Sequence, residues 1–155
     1  MRGDLAAMIG AHARGGRIAW IGLRPERRGE VTSVDRARIG PEGLEGDHGR
    51  PGKRAVTLIQ AEHLPVIAAL AGREATYPLL RRNIAVSGLN LLALRKATIR
   101  VGSALLRIEG PCAPCSRMEE ALGPGGFNAV RGHGGWCASV VEPAAVAVGD
   151  EVRPG

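Results

Sequence analysis

Cysteine is the most reactive residue type in this chain. The chain has three cysteines, and one of them lies in a distinctive setting. Residues 110–119 are Gly-Pro-Cys-Ala-Pro-Cys-Ser-Arg-Met-Glu, so Cys112 and Cys115 form a Cys-x-x-Cys pair bounded by prolines. Ser116 and Glu119 have the spacing of a capping box, in which a hydroxyl and a carboxylate satisfy free N–H groups at a helix start. The pattern predicts that Cys115 lies just before a short helix.

The predicted position of Cys115 favours its thiolate form. The positive end of a helix dipole and the neighbouring Arg117 would both lower the pKa of the thiol. Because the thiolate is the nucleophile and the soft-metal ligand, Cys115 is the candidate catalytic residue. Cys112 stays open as a second candidate. Cys137 alternates with Trp136 in an apolar strand and is predicted to belong to the core.

The same cysteines also have a spacing that structural zinc sites use. Cys112 and Cys115 are followed by His133 and, after three further residues, by Cys137. These four side chains would complete a closed Cys3His site without a reactive sulfur. A domain of this length gains little from a folding metal, which weighs against the zinc alternative. A thioredoxin-like role is weaker, because no strand-helix-strand pattern surrounds the Cys-x-x-Cys pair.

The elements that must position these side chains are mostly strands. About seven short strands, rich in β-branched residues and separated by glycine turns, indicate a mainly β fold, a barrel or a sandwich, with a few short helices. The candidate segments are residues 17–23, 30–39, 54–60, 83–87, 97–101, 104–109, 136–141 and 145–152. An N-terminal extension, residues 1–16, is predicted to carry a helix capped by Asp4 and ended by Gly15–Gly16. Further helices are expected over residues 61–71 and from Pro78.

Two glycine-rich segments are predicted to be loops near a ligand. Glycine occurs at every third position over residues 40–52, which leaves the backbone open to close contact. A second loop, after the helix that follows Cys115, can fold back over the sulfur. Its polar and aromatic members are Phe127, Asn128, Arg131 and His133.

The composition indicates a basic protein with an aliphatic core. Lys and Arg number 21 against 15 for Asp and Glu, and most of the excess is Arg, which suits bidentate capture of phosphate or carboxylate. The chain has only two Trp, one Tyr and one Phe, too few for a base-stacking nucleic-acid platform. No apolar run has the length of a signal peptide or a membrane span, so we expect a cytoplasmic protein whose cysteines stay reduced.

Five short motifs follow one another along the chain. They are Gly-Leu-Glu-Gly-Asp-His at 43–48, Arg-Ala-Val-Thr-Leu-Ile at 54–59, Arg-Asn-Ile-Ala-Val-Ser-Gly at 82–88, Gly-Pro-Cys-Ala-Pro-Cys at 110–115 and Val-Gly-Asp at 148–150. Their order and spacing resemble the MOSC domain, which is found at the C-terminus of molybdenum cofactor sulfurases and in mitochondrial amidoxime-reducing enzymes. The resemblance runs over about residues 18–155 of a chain expected to be one domain, 1–155.

The resemblance implies a β-barrel-like fold, binding of the molybdenum cofactor (molybdopterin), and a cysteine that either carries sulfur or ligates molybdenum. Cys115 matches that cysteine, and Cys112, at a position that varies in the family, is kept as a second candidate metal ligand. Molybdenum accepts soft thiolates, while phosphate and pterin call for cationic and amide side chains. The candidate cofactor-binding residues are Asp47, His48, Lys53, Arg54, Arg82, Asn83, Arg117, Asn128, Arg131 and His133.

Beside the zinc-stapled interaction domain, two functions stay open. In the first, Cys115 holds the cofactor or a persulfide and passes on sulfur received from a cysteine desulfurase. In the second, molybdenum bound through Cys115 reduces N-hydroxylated compounds with electrons from an electron-transfer protein. We expect a small anionic cofactor, no pyridoxal phosphate on this chain itself, and neither nucleic acid nor a membrane as partner.

Overall fold

The computed structural model describes residues 2–49 and 51–155, and these residues form eleven strands and five α-helices. The strands are β1 (Gly16–Leu23), β2 (Thr32–Val34), β3 (Arg36–Gly40), β4 (Gly43–Leu44), β5 (Val56–Gln60), β6 (Ile84–Ser87), β7 (Thr98–Val101), β8 (Ala104–Pro111), β9 (Trp136–Glu142), β10 (Ala144–Ala147) and β11 (Glu151–Pro154). The helices are α1 (Arg2–Gly10), α2 (His63–Ala71), α3 (Tyr77–Leu80), α4 (Ser116–Leu122) and α5 (Gly126–Val130), with 3-10 turns at Gly52–Arg54 and Leu91–Leu94.

Seven of the strands close into a barrel, which confirms the predicted mainly β fold. Their order is β11-β7-β8-β9-β5-β6-β1, and β1 completes the ring by pairing with β11. The pair β5–β6 is parallel, so the chain crosses between these strands through α2 and α3. Closure leaves no unpaired edge in the ring. Outside it, β2 pairs with β1, and β10, β3 and β4 form a separate small sheet.

Aliphatic side chains fill the interior, as the scarcity of aromatic residues requires. Alternation along each strand turns one face inward, and this face carries the buried cluster. Its large members include Ile18, Ile21, Leu58, Ile84, Val86, Ile99, Leu106 and Ile108.

A second apolar cluster lies between the outer helices and the barrel wall. Met118 and Leu122 of α4 are buried there against Ile59, Ile67 and Leu80. Fully burying one such side chain contributes about 1.5 to 3 kcal/mol, so this cluster anchors α4 on the barrel. The residue that precedes α4 is Cys115, and the apolar contact therefore fixes the position of that cysteine.

Two predicted strands are each divided in two, because the chain changes sheets within them. The segment 30–39 bends at Asp35, so β2 pairs with β1 while β3 pairs with β10. The segment 145–152 turns at Gly149, which has φ 94°, a conformation that favours glycine. The Asp150 carboxylate accepts a hydrogen bond from the Ala147 amide (2.9 Å) and closes this turn.

The other predicted segments differ mainly at their ends. Helix α1 begins at Arg2 and ends at Gly10, so the predictions of Asp4 as its cap and Gly15–Gly16 as its end are wrong, since Gly16 already belongs to β1. Helix α2 ends where expected, with Gly72 in the left-handed conformation. Within the tract 40–52, the backbone of Gly43 (φ 122°) lies so close to the Ala55 carbonyl that a Cβ would not fit there. No helix in the described part of the chain is long and apolar enough to cross a membrane.

We predict that Gly135→Ala destabilises the fold much more than Gly132→Ala. Both glycines have positive φ (95° and 83°), but a Cβ at Gly135 would collide with the Leu58 carbonyl, whereas a Cβ at Gly132 meets nothing within 4 Å. Gly132→Ala should lower the free energy of unfolding by about 1 kcal/mol, the cost of the left-handed conformation. Gly135→Ala should lower it by roughly 3 kcal/mol or more. Urea denaturation measures both, and equal losses would contradict the packing described here.

Candidate functional site

A cleft of about 500 Å³ lies where β1 and β8 end and β5, β6 and β9 begin. It brings together all three cysteines, His48 and seven arginines. The arginines are Arg24, Arg27, Arg28, Arg54, Arg81, Arg82 and Arg117. Among the described residues that line the cleft there is no carboxylate, so the field inside it is strongly positive.

Cys115 is exposed at the edge of this cleft. Its backbone is extended (φ −123°, ψ 171°) and its carbonyl accepts the amide of Met118 (2.9 Å), which makes Cys115 the N-cap residue of α4. Because Met118 is fully buried, the first turn of α4 is held rigidly. The sulfur is thus accessible, on a residue whose backbone the helix start holds in place.

The predicted capping box is wrong. Ser116 is the first residue of α4 and not its cap. The Glu119 carboxylate accepts hydrogen bonds from the amides of Phe127 (3.0 Å) and Gly125 (3.2 Å), and so caps α5 instead. These bonds hold the pKa of Glu119 below its usual value. The spacing of Ser116 and Glu119 predicts one cap shared by both residues, whereas Glu119 alone caps, and it caps the following helix.

Arg82 is the most buried charge in the cleft, with 8% of its surface exposed. Its Nε donates to the Gly134 carbonyl (2.6 Å) and its Nη1 to the Leu80 carbonyl (3.1 Å). Its Nη2 is buried and has no hydrogen-bond partner among the described residues. A buried charged donor without a partner is costly, and an anion in the adjoining cleft would compensate its charge.

Arg81 gathers further positive charge around Cys115. Its Nη2 donates to the Arg27 carbonyl (3.0 Å), which holds in place the loop that carries Arg27 and Arg28. The residue has φ 58°, a conformation that non-glycine residues adopt rarely and that is concentrated at functional sites. Burial and then the charges of Arg24 and Arg117 lower the pKa of Arg81, while Cys115 raises it.

The Gly-Asp-His motif attaches a neighbouring loop to the cleft. The Asp47 carboxylate accepts the Arg24 amide (2.7 Å), and the His48 amide donates to the Arg24 carbonyl (2.6 Å). Arg24 returns a bond from Nη2 to the His48 carbonyl (3.2 Å). Asp47 therefore positions Arg24, while His48 lines the cleft itself.

Asn83, a predicted cofactor ligand, is a buried brace. Its Oδ1 accepts the amide of Thr57 (3.1 Å), and its Nδ2 donates to the Gly22 carbonyl (3.3 Å). Its own amide donates to the Thr57 hydroxyl (2.9 Å). These bonds tie β1, β5 and the start of β6 together beneath the arginines.

Besides Asp47 and Asn83, four further predicted ligands do not line the cleft. Lys53 is exposed in the 3-10 turn beside Arg54. Asn128 and Arg131 are exposed and bond to each other (3.4 Å), because the expected loop folds into α5 and does not return over Cys115.

The fourth, His133, lies in a neighbouring pocket of about 370 Å³ that shares Pro111 and Cys112 with the cleft. There its ring meets that of His63 edge-on at 5.0 Å.

Cys137 belongs to the cleft and not to the core, so the core prediction is wrong. The residue is half-buried, and its Sγ lies 2.9 Å from the Sγ of the buried Cys112. The hydrogen bond from the Cys112 thiol lowers the pKa of Cys137 to about 7, with added stabilisation of the thiolate by Arg82 and Arg54. The same bond, together with burial, raises the pKa of Cys112.

The Cys3His zinc site is not assembled. Within residues 2–49 and 51–155, no three His, Cys, Asp or Glu side chains are grouped so as to hold a metal ion. The physical reason is that His133 faces His63 while Cys112 faces Cys137 and Cys115 stands exposed. The spacing of these residues along the chain does not bring their side chains to one point.

Sequence reasoning missed several residues of the cleft. Arg24, Arg27 and Arg28 follow directly after β1, and Arg81 precedes Arg82. The signal that could have found them is the density of arginine, three within five residues after an apolar strand.

The family model for the MOSC domain matches residues 26–153, which is most of the chain and contains all seven arginines but Arg24. The chain belongs to the MOSC domain family. The predicted resemblance is thereby confirmed. No curated protein matches the sequence.

Solved structures share the fold of this MOSC domain at low sequence identity. The YuaD protein from Bacillus subtilis is 20% identical with a TM-score of 0.77, covering 90% of this chain and 94% of that one. YiiM from Escherichia coli is 22% identical with a TM-score of 0.71, covering 90% and 69%. YiiM from Geobacillus stearothermophilus is 19% identical with a TM-score of 0.72, covering 90% and 75%. At these identities the likeness shows the fold alone.

The residues of the cleft fit the molybdenum cofactor that the MOSC family implies. A cofactor with an anionic phosphate and a soft metal needs cations and a thiolate. The cleft offers the clustered guanidinium groups, the buried charge of Arg82 and the exposed sulfur of Cys115. Cys112 is a poorer ligand, since its sulfur is buried against Cys137.

We predict that Asn83→Ala costs stability and that Asn128→Ala does not. Asn83→Ala leaves the Thr57 amide and the Gly22 carbonyl unpaired in a buried setting, which should lower the free energy of unfolding by roughly 2 kcal/mol. Asn128 is exposed, so its replacement should change the value by less than about 0.5 kcal/mol. Chemical denaturation checks both. Equal stability of the two variants would show that Asn83 is not a brace.

We predict that Cys137 forms a thiolate near neutral pH because of Cys112. In the Cys115→Ser variant, thiolate absorbance at 240 nm should rise by the amplitude of one thiolate with a midpoint at pH about 7. Adding Cys112→Ala removes the hydrogen-bond donor, so the midpoint should move up toward about 8.5, the ordinary value of a thiol. A midpoint that Cys112→Ala leaves in place would contradict this coupling.

Proposed function

We propose that this MOSC domain binds the molybdenum cofactor in the arginine cleft, with Cys115 as the thiolate ligand of the metal. The observation that carries the proposal is the exposed Cys115 sulfur beside a cleft that holds seven arginines and a buried, unmatched guanidinium nitrogen of Arg82. A site of this charge suits a phosphorylated ligand, and its sulfur suits a soft metal.

The residues of the cleft divide between two tasks. Arg82, Arg81 and Arg117 supply the positive charge that would hold the phosphate, since these side chains are partly or fully buried and ordered by their packing. Arg24 and His48 form a second wall through their mutual hydrogen bonds. When bound, the cofactor supplies a redox-active metal centre, which this chain's own side chains do not provide.

Cys115 is preferred over Cys112 because of its surroundings. A metal ligand must reach the metal with its lone pairs free, and the Cys112 sulfur is already engaged 2.9 Å from Cys137. The Cys115 sulfur is exposed. Both Cys115 and Arg117 lie close enough to Arg81 to affect the pKa of Arg81.

The exposure of Cys115 also supports contact with a partner protein. A cysteine desulfurase could transfer sulfur to Cys115 only by reaching its Sγ, and an electron-transfer protein must approach a cofactor held there. Both uses require the open cleft edge at which Cys115 lies. Sulfur carriage and reduction of N-hydroxylated compounds are therefore two uses of one proposed site.

We predict that molybdenum binding depends on Cys115 and not on Cys112. Protein purified from cells that make the cofactor should contain molybdenum, measured by inductively coupled plasma mass spectrometry. Cys115→Ser should lose nearly all of it, because an alcohol does not replace a soft thiolate. Cys112→Ala should keep most of it. Equal molybdenum content in the wild type and Cys115→Ser would contradict the proposal.

We predict that cofactor retention depends on charge within the cleft. Arg117→Gln should weaken retention roughly 10- to 150-fold, since a charge-assisted hydrogen bond contributes roughly 1.5 to 3 kcal/mol. Arg153→Gln is the matched control, because Arg153 is exposed on β11 and only pairs with Glu151 (3.8 Å). Release of the cofactor is followed by its fluorescence after oxidation. A loss of the same size in both variants would indicate a general charge effect.

A sulfur assay separates the two uses of the site. After incubation with a cysteine desulfurase and cysteine, a sulfur carrier should gain about one cyanide-labile sulfur per chain, and Cys115→Ser should gain none. A protein that binds molybdenum through Cys115 but gains no such sulfur is a cofactor-binding domain and not a carrier.

A further inference from the structure

We propose that Cys112 and Cys137 form a reversible disulfide across β8 and β9 and leave Cys115 as a free thiol. Their sulfur atoms lie 2.9 Å apart. This modification site is distinct from the proposed cofactor function, because neither cysteine is assigned there as a ligand.

The two strands bring these cysteines together. In the register of β8 and β9, Gly110 lies opposite Cys137 and Pro111 opposite Trp136. The pairing continues past the end of β8, where the Cys112 amide donates to the Gly135 carbonyl (2.8 Å). A disulfide bond is about 2.05 Å long, so the sulfurs need to approach by less than about 1 Å. In this register Cys112 and Cys137 are diagonal neighbours on one face of the strand pair.

An oxidant reaches this pair through the arginine cleft. Cys137 is half-buried and lines the cleft, whereas Cys112 is buried with 9% of its surface exposed. The hydrogen bond from Cys112, and then the charges of Arg82 and Arg54, stabilise negative charge on Cys137, consistent with its lowered pKa. Cys137 is therefore the sulfur oxidised first, and Cys112 is the resolving thiol.

The oxidant is a peroxide, which takes up the two electrons that the cysteines lose. The Cys137 thiolate attacks one oxygen of hydrogen peroxide, the O–O bond breaks, and the departing hydroxide takes up a proton to leave as water. The Cys112 sulfur then attacks the sulfenic sulfur of Cys137, the S–O bond breaks, and a second water leaves with the thiol proton. The two cysteines lose two electrons in total, and a dithiol reductant restores them by exchange.

The positions of the three cysteines disfavour a disulfide between Cys112 and Cys115, the pair that is nearest in sequence. Cys-x-x-Cys pairs commonly close a disulfide within one turn, which would join Cys112 to Cys115. Here the Cys115 backbone is extended at the start of α4 and its side chain is exposed, while the Cys112 sulfur contacts Cys137. The cross-strand partner thus protects Cys115 from being consumed by oxidation of its neighbour.

The test is thiol mapping by mass spectrometry on the full chain. Reduced protein is treated with a slight excess of hydrogen peroxide, denatured, alkylated and digested with trypsin. The sequence places Cys112 and Cys115 in the peptide 108–117 and Cys137 in the peptide 132–155. We expect these peptides to be joined with the loss of two hydrogens, with the alkyl group on Cys115, and to separate after dithiothreitol. Fragmentation of the wild-type peptide locates the alkyl group without any substitution.

Matched variants give the second readout. Cys115→Ser should form the cross-link as completely as the wild type, whereas Cys112→Ala and Cys137→Ser should lose it. Thermal melting followed by circular dichroism identifies a variant that has not folded. In that case, fragmentation of the cross-linked wild-type peptides shows which cysteines are joined. A disulfide that joins Cys115 to either other cysteine, or three alkylated thiols after peroxide treatment, would overturn the proposal.

Discussion

The guanidinium group of Arg82 connects three parts of the molecule. Its backbone leads into β6 of the barrel, its Nη1 holds the last residue of α3 at Leu80, and its Nε holds the loop at Gly134 that leads into β9. A buried cation is tolerated only when its donors are matched, and one donor, Nη2, has no partner among the described residues. Arg82 thus holds the walls of the cleft together and gives the cleft a positive charge that no carboxylate among the residues described there neutralises.

The rest of the cleft also carries positive charge without a carboxylate among its described lining residues. Six further arginines surround Arg82, and like charges at this density repel one another and destabilise the compact state. The barrel can bear this cost because the aliphatic interior and the contact of α4 with the wall supply stability elsewhere. A bound anion would reduce the repulsion, so binding of the proposed cofactor would also stabilise the fold. The left-handed backbone of Arg81 also lowers the free energy of unfolding, and it lies at the same cleft.

The barrel was largely predictable from the sequence, whereas the site was predictable only in part. Alternating β-branched segments identify strands because burial of one face has a period of two residues. The same signal cannot show that the chain changes sheets at Asp35 or at Gly149, since both halves of each segment remain strand-like. Family motifs brought Cys115, Arg82 and His48 to attention, and these residues do meet in the cleft.

What the sequence could not supply is the choice of partner in space. Asn83 and Asp47 occupy motif positions but bond to the backbone, because a buried amide or carboxylate must first satisfy its neighbours. Cys137 resembles a core residue by alternation, yet the pairing of β8 with β9 sets its sulfur against Cys112. Glu119 fits a capping box by spacing, but it caps the following helix.

In the proposed function, the arginine cleft holds the molybdenum cofactor with the metal at Cys115. The most direct measurement is a crystal structure of protein purified with its cofactor, with anomalous scattering recorded on both sides of the molybdenum edge. The account predicts one molybdenum peak at bonding distance from the Cys115 sulfur, with the cofactor's phosphate among Arg81, Arg82 and Arg117. A molybdenum peak elsewhere on the molecule, with the cleft occupied by solvent, would contradict it.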